Sequence, residues 1–292
     1  MAMKALVLGG TRFMGIHLVS NLISAGHDVT IATRGNAPDP FGDKVTRLAV
    51  DRYNPDSLRN ALEGKFYDVT VDNLAYSSND VRYLLDVLNT KKYVMTSTAS
   101  VYAPSFHENM REAEVDTNTL PLVWCNADDF PYDEVKRQAE NALFQAYLDQ
   151  VSSAIRFPFI FGEDDYTKRL YFYIEHLVQR RAMNIDNMGA RLSFINSREA
   201  GRLLAHIATG TRVGYINASS NGTISLEKII GYAEKRAGMK VIIEDGGDAG
   251  TFNGIPSFSL DTSIAAETGY KFMDIGSWVY PLIDYWIDTI PR

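Results

Sequence analysis

Apolar positions in the first half of this chain switch between short continuous runs and helical spacing. Lys4-Ala5-Leu6-Val7-Leu8 is a run of strand length, and from Ile16 to Ile23 the apolar residues recur at helical intervals. Further strand-length runs stand at 29–32, 45–50, 69–71, 93–96 and 154–156. Helical patterns fall between them. One begins at Asn54-Pro55, with asparagine as N-cap and proline in the first turn. Another is capped by Asn79 and carries Val81, Leu84, Leu85 and Leu88, and a third covers 132–149. This alternation predicts an α/β fold built on a doubly wound parallel sheet.

Past residue 157 the alternation loosens. Helices are expected at 168–181, 198–208, 225–237 and 278–287, with Ser225 as an N-cap and Gly238 as a stop, and a strand at 241–243. Between the fifth strand and the helix at 132, the segment 103–131 lacks periodicity and is acidic (Glu108, Glu112, Glu114, Asp116, Asp128, Asp129). Loops this long are uncommon unless functional. The expected organisation is a nucleotide-binding domain over 1–157, joined by about 190–222, with a smaller interleaved C-terminal substrate domain from 158–189 and 223–292.

Gly9-Gly10-Thr11-Arg12-Phe13-Met14-Gly15 separates the first strand from the first helix. Glycines let the backbone turn sharply and approach a pyrophosphate, and the helix N-terminus offers free N–H groups and a positive dipole. Strand, glycine loop and helix therefore predict a Rossmann dinucleotide site, with Gly9, Thr11, Arg12, Phe13, Met14 and Gly15 against the pyrophosphate. An NAD enzyme usually carries an acid at the end of its second strand. Here the residues are Thr33-Arg34, and a hydroxyl with a guanidinium suits a 2′-phosphate. Arg12 can join them from the loop, so NADP(H) is favoured over NAD(H). The plainer reading makes both arginines solvated loop charges.

Composition narrows the function classes. The chain has 292 residues, is 46% hydrophobic and 22% charged, and carries a formal net charge of −7. That charge disfavours nucleic acid as a partner. No apolar run approaches the roughly 20 residues of a membrane span, and the N-terminal run is too short for a secretory signal. Cys125 is the only cysteine, which excludes an intrachain disulfide and fits a reducing cytoplasm. The five histidines show no metal-ligand spacing, so no metal is expected.

Two further groups carry chemistry. Tyr132 and Lys136 form the only Tyr-x-x-x-Lys of the chain, and residues four apart share a helix face. An ammonium beside a phenol favours the phenolate and lowers its pKa. Thr96-Ser97-Thr98-Ala99-Ser100-Val101-Tyr102 stands at the end of the fifth strand, where ligands of open α/β sheets bind. A hydroxyl there can bond a substrate oxygen. The alternative is a Ser/Thr-rich turn with backbone hydrogen bonds.

Together these motifs resemble the extended and atypical short-chain dehydrogenase/reductase family, the group of NAD(P)-dependent nucleotide-sugar epimerases and dehydratases. The likeness extends to Ile155-Arg156-Phe157-Pro158 with Gly162, and to the late element from Asp261 to Tyr270. It implies Tyr132 as catalytic acid/base, Lys136 as its tuner and nicotinamide-ribose ligand, and Thr98 as the substrate-polarising hydroxyl. Ser97 and Ser100 are less favoured alternatives, Asp51 matches the acid that contacts adenine, and Arg191 matches an arginine that grips a substrate diphosphate. A plain surface charge is the other reading of Arg191. Trp124, Phe130, Tyr166 and Tyr171 flank the expected cleft. Relatives pair through two helices each, which leaves a homodimer open.

Departures matter as well. Arg12 replaces the family's middle glycine, as in the atypical branch of reductase-like and chloroplast stem-loop-binding proteins. Ala99-Ser100 stands where 4,6-dehydratases carry an Asp-Glu pair, which argues against that dehydration. The resemblance therefore implies a nucleotide-sugar epimerase-like enzyme acting on a small-molecule substrate. An NADPH-dependent carbonyl reductase is the alternative, and a noncatalytic cofactor sensor or RNA-binding protein is the reading of another class.

Overall fold

The computed structural model describes residues 2–36 and 38–291. Its centre is a sheet of seven parallel strands: β1 (Lys4–Leu8), β2 (Asp28–Thr33), β3 (Val45–Ala49), β4 (Tyr67–Asp72), β5 (Thr90–Thr98), β6 (Val151–Phe157) and, far along the chain, Gly214–Asn217. Their order across the sheet is 3-2-1-4-5-6 followed by Gly214–Asn217, with the order reversing between β1 and β4. This is the doubly wound sheet expected from the alternation. A strand buried on both faces favours apolar residues at successive positions, which is why β1 reads as a continuous run; β4 is equally central but carries buried Thr70 and Asp72 beside Val69 and Val71.

Helices α1 (Met14–Ser24), α2 (Pro55–Leu62), α3 (Ser78–Leu85) and α4 (Tyr132–Asn141) fill the connections. After β6 come β7 (Phe159–Phe161), α5 (Arg169–Val178), β8 (Ala182–Asn184), β9 (Arg191–Leu192), β10 (Phe194–Asn196) and α6 (Ser197–Thr209). The strand Gly214–Asn217 is β11; β12 (Ile224–Ser225), α7 (Leu226–Ala237), β13 (Ile242–Ile243), β14 (Asp248–Ala249), α8 (Ser263–Glu267) and α9 (Gly276–Thr289) complete the chain. One core packs α1 and α6 on one sheet face through Leu18, Leu22, Leu203 and Ile207. A second, with Leu58, Val81, Leu84 and Leu143, covers the other face. A third joins α5, α7 and α9 through Leu170, Ile174, Ile230, Val279 and Ile283. No described helix is long and apolar enough to cross a membrane.

Local signals set most helix ends. The Asn54 side chain accepts from the amides of Asp56 and Ser57, and Ser225 accepts from Lys228 before Gly238 closes α7 at φ 65°. Two expectations need correction. Ser77, not Asn79, caps α3: Ser77 and Asp80 bond each other's backbone amides, and Asn79 inside the first turn reaches Asn126 at 2.9 Å. The helix expected over 132–149 also stops early. It widens into a π-turn over Ala142–Ala146, and the following Tyr147 is held by Asp86 at 2.6 Å.

Candidate active site

The carboxyl ends of β1 to β6 border one cleft of about 790 Å³. At its base, the glycine loop turns at Gly9, with φ 76°, and Gly15 lies against the Gly9 carbonyl. A Cβ on Gly15 would stand 2.1 Å from that oxygen, so no side chain fits there. No side chain caps α1 and no acid stands in its first turn. The Gly15 and Ile16 amides donate to the Arg12 and Phe13 carbonyls, each at 3.0 Å, and the positive end of the helix dipole faces the loop with no side-chain charge against it. Thr11, Arg12, Phe13 and Met14 complete the loop and line the cleft.

Thr33, Arg34 and Asp51 border the same cleft at the ends of β2 and β3. The Thr33 hydroxyl accepts from the Gly35 amide at 3.1 Å, and Asp51 accepts from the Tyr53 amide at 3.1 Å. Among the described residues, neither Arg12 nor Arg34 has an ion pair or a side-chain hydrogen bond, so both guanidiniums keep their donors free.

At the other end stand Thr98, Tyr132 and Lys136. Thr98 ends β5, and its hydroxyl accepts from the Ser100 amide at 3.1 Å and donates to the Ser100 hydroxyl at 3.2 Å. Tyr132 opens α4 and is half exposed. Lys136, one turn on, is buried and donates to the carbonyls of Ala75 and Thr96, each at 2.7 Å. An ammonium has three donors, so one remains for a ligand. Burial pushes the Lys136 pKa down to about 8, against the opposing pull of Glu140, Asp72 and Asp80.

The expected effect of Lys136 on Tyr132 is not what this geometry produces. Burial raises the Tyr132 phenol above its ordinary value, while Thr98 and Arg169 pull it down. Lys136 is instead engaged by two carbonyls and lies 5.7 Å from the Tyr76 ring centre. Ser97 borders the cleft, but its hydroxyl donates inward to Glu140 at 2.6 Å rather than being free for substrate. Ser100 lines the cleft beside Thr98. Arg191 is not among the lining residues; its guanidinium donates to the Thr223 carbonyl at 3.3 Å. Of the flanking aromatics, only Tyr166 lines the cleft. Trp124 stacks under Arg82, and Tyr171 packs on Trp286.

The structure adds residues that sequence spacing did not single out. Arg52 lines the cleft beside Asp51, buried and paired with Asp72 and with Asp80 at 3.2 Å. Phe159, Arg169, Ile255 and Phe258, from beyond β6, line the same cleft as Thr98 and Tyr132. Their sequence distance left no local pattern to read.

Residues 5–207 match the NAD dependent epimerase/dehydratase family. The chain belongs to that family. This epimerase/dehydratase-family chain is 26% identical over 204 residues to the chloroplast stem-loop binding protein of 41 kDa b of Arabidopsis thaliana, covering 65% of this chain and 50% of the relative. It is 23% identical over 213 residues to 2'-dehydrokanamycin reductase of Streptomyces kanamyceticus, covering 72% of this chain and 59% of the relative. The chain thus spans about half the length of the curated relatives it matches. In fold it is similar to UDP-glucuronic acid 4-epimerase of Bacillus cereus, solved in complex with UDP-glucuronic acid and NAD. That likeness has a TM-score of 0.76 at 17% identity, over 99% of this chain and 100% of the other.

Proposed function

We propose that this chain is an NAD(P)-dependent epimerase-type enzyme that moves hydride at a secondary alcohol or carbonyl carbon of a nucleotide sugar. One observation carries the reading: the glycine loop, Thr98, Tyr132 and Lys136, from separate segments, meet in one cleft at the strand ends. Family membership supports the cofactor class, and the UDP-glucuronic acid complex of the Bacillus cereus epimerase supports the substrate class.

The residues present fit a dinucleotide, because Gly15 leaves no room for a side chain and the first turn of α1 is uncapped. Gly9, Thr11, Arg12, Phe13, Met14 and Gly15 would hold the pyrophosphate, and Asp51 the adenine. Thr33 and Arg34 would read a 2′-phosphate, which favours NADP(H). When bound, the cofactor supplies hydride exchange at the substrate carbon and, oxidised, a positive charge that favours the phenolate. Like any phenol, Tyr132 is a neutral proton donor at neutral pH, and it would serve as the acid in the reducing direction. Thr98 would share the substrate oxygen, and the third N–H of Lys136 would bond the ribose. Segments 158–189 and 223–292 supply the substrate wall, through Phe159, Arg169, Ile255 and Phe258.

A second reading, NADPH-dependent carbonyl reduction, is favoured by the unpaired Arg12 and Arg34 and by the likeness to a reductase. Both readings are tested by incubating the protein with UDP-glucose or UDP-glucuronic acid and cofactor. Epimerised sugar without net NAD(P)H consumption supports the first, and net consumption with a carbonyl substrate supports the second. Tyr132→Phe is expected to slow turnover by about 10²- to 10⁴-fold while NADPH binding persists. Normal turnover by this variant would refute the role of Tyr132, and wild-type protein binding neither NADPH nor NADH would overturn the enzyme reading.

A further inference from the structure

Helix α1 touches the segment between β7 and α5 at two points, one turn apart. Phe13, at the start of α1, meets Tyr166 edge to face with ring centres 5.8 Å apart. His17, four residues on, bonds the Asp164 carboxylate at 3.0 Å. The other oxygen of Asp164 accepts from Ser197 at 2.7 Å, and Asp165 holds Thr167 at 2.6 Å. The segment is thus stapled along the first turn of the helix that carries the glycine loop.

Two features of this contact call for a functional explanation. Phe13 sits at φ 52°, a backbone conformation that a bulky residue rarely adopts. Strain of that kind is characteristic of ligand clamps. Tyr166 is 65% exposed, so its ring is not placed there by core burial. Both side chains line the cleft, one from the cofactor loop and one from the substrate wall. Burial is the main cause that pushes up the Tyr76 and Tyr132 phenols, and the nearby Tyr166 hydroxyl adds to it. Tyr166 thus meets the glycine loop through Phe13 and shares its cleft with the proposed acid, Tyr132.

We propose that Phe13 and Tyr166 form a clasp across the glycine loop that retains the nicotinamide cofactor between two half-reactions. The inference rests on the cofactor reading above and deepens it. In epimerisation, the hydride taken from a substrate carbon is returned to that same carbon, so no net oxidation occurs and the cofactor has no need to leave. In reduction, hydride and proton go to a carbonyl and the oxidised cofactor must exchange each cycle. Slow cofactor exchange favours the first outcome.

The test is the rate of cofactor release. Protein loaded with NADPH, and separately with NADH, is mixed with excess oxidised nucleotide, and the loss of bound-nucleotide fluorescence is followed. Removing one edge-to-face aromatic contact in Tyr166→Ala is expected to speed release about five- to tenfold, with unchanged Tm. Tyr166→Phe keeps the ring and is expected to stay within about twofold of wild type. Asp164→Ala, which frees the segment from His17 and Ser197, is expected to speed release as well. Combined with Tyr166→Ala it should add little, because both act on one device. Release from Tyr166→Ala at the wild-type rate, or equally fast release from Tyr166→Phe, overturns the clasp. Failure of wild-type protein to bind either nucleotide removes the cofactor reading itself, and equilibrium titration shows that separately.

Discussion

Lys136 shows burial and charge competing at a single atom. Its ammonium lies out of water between two carbonyls, and burial brings its pKa down to about 8. As pH rises through that value, the proton is lost and with it the charge-assisted bond proposed above for a ribose hydroxyl. NADPH affinity is therefore expected to hold from about pH 6.5 to 7.5 and to fall above about 8. Lys136→Met should bind more weakly and without that fall, as fluorescence titration across this range will show; a wild-type affinity constant through pH 9 would count against the role. The same group affects folding with a definite sign. Unfolded, it keeps its proton up to about 10.5. Between about 8 and 10.5 the folded chain binds fewer protons, so this group makes stability rise with pH there and adds no slope below. The Tyr-x-x-x-Lys spacing was legible in the sequence. The Ala75 and Thr96 carbonyls that claim the ammonium were not, because a carbonyl leaves no trace in residue identity.

At the scale of elements, the crossing of α1 and α6 decides where the glycine loop sits. Gly201 lets the helices touch: a Cβ there would lie 2.6 Å from His17 Cβ, the Leu18 amide and the Met14 carbonyl. Two of those atoms are backbone, so relief requires the helices to part. Gly201→Ala is expected to destabilise the fold by about 1–3 kcal/mol in urea denaturation, and to weaken NADPH binding through the displaced start of α1. An unchanged midpoint would show that the crossing has slack. Caps made within one turn, such as Asn54 before Pro55 and Ser225 with Gly238, were readable because their partners are neighbours in sequence. The start of α3 was misplaced by two residues because its reciprocal Ser77–Asp80 pair outcompetes Asn79. The π-turn at Ala142–Ala146 had no local signal at all.

For the whole molecule, one buried ion pair ties distant segments together beneath the cleft. Arg156 on β6 bonds both oxygens of Glu140 on α4, at 3.1 and 2.7 Å, and both side chains are fully buried. Arg156 also donates to the Tyr102 hydroxyl and to the carbonyls of Glu112 and Val115, and Ser97 bonds Glu140. Sheet, helix and acidic loop thus share one network. Glu140→Gln would leave the Arg156 charge buried without its counter-ion, and about 3–5 kcal/mol of stability should be lost by urea unfolding. A loss below about 1 kcal/mol would show that water reaches the pair. The sequence by itself determined the α/β class and the strand–glycine loop–helix opening of the sheet, because strand runs, glycine turns and helical spacing are short-range properties of the chain. Only the tertiary structure decided that Ser97 turns inward, that Arg191 stands off the cleft, that Arg52 and Arg169 line it and that Phe13 meets Tyr166. Those outcomes depend on which distant segments the folded sheet brings side by side, and no local spacing encodes that.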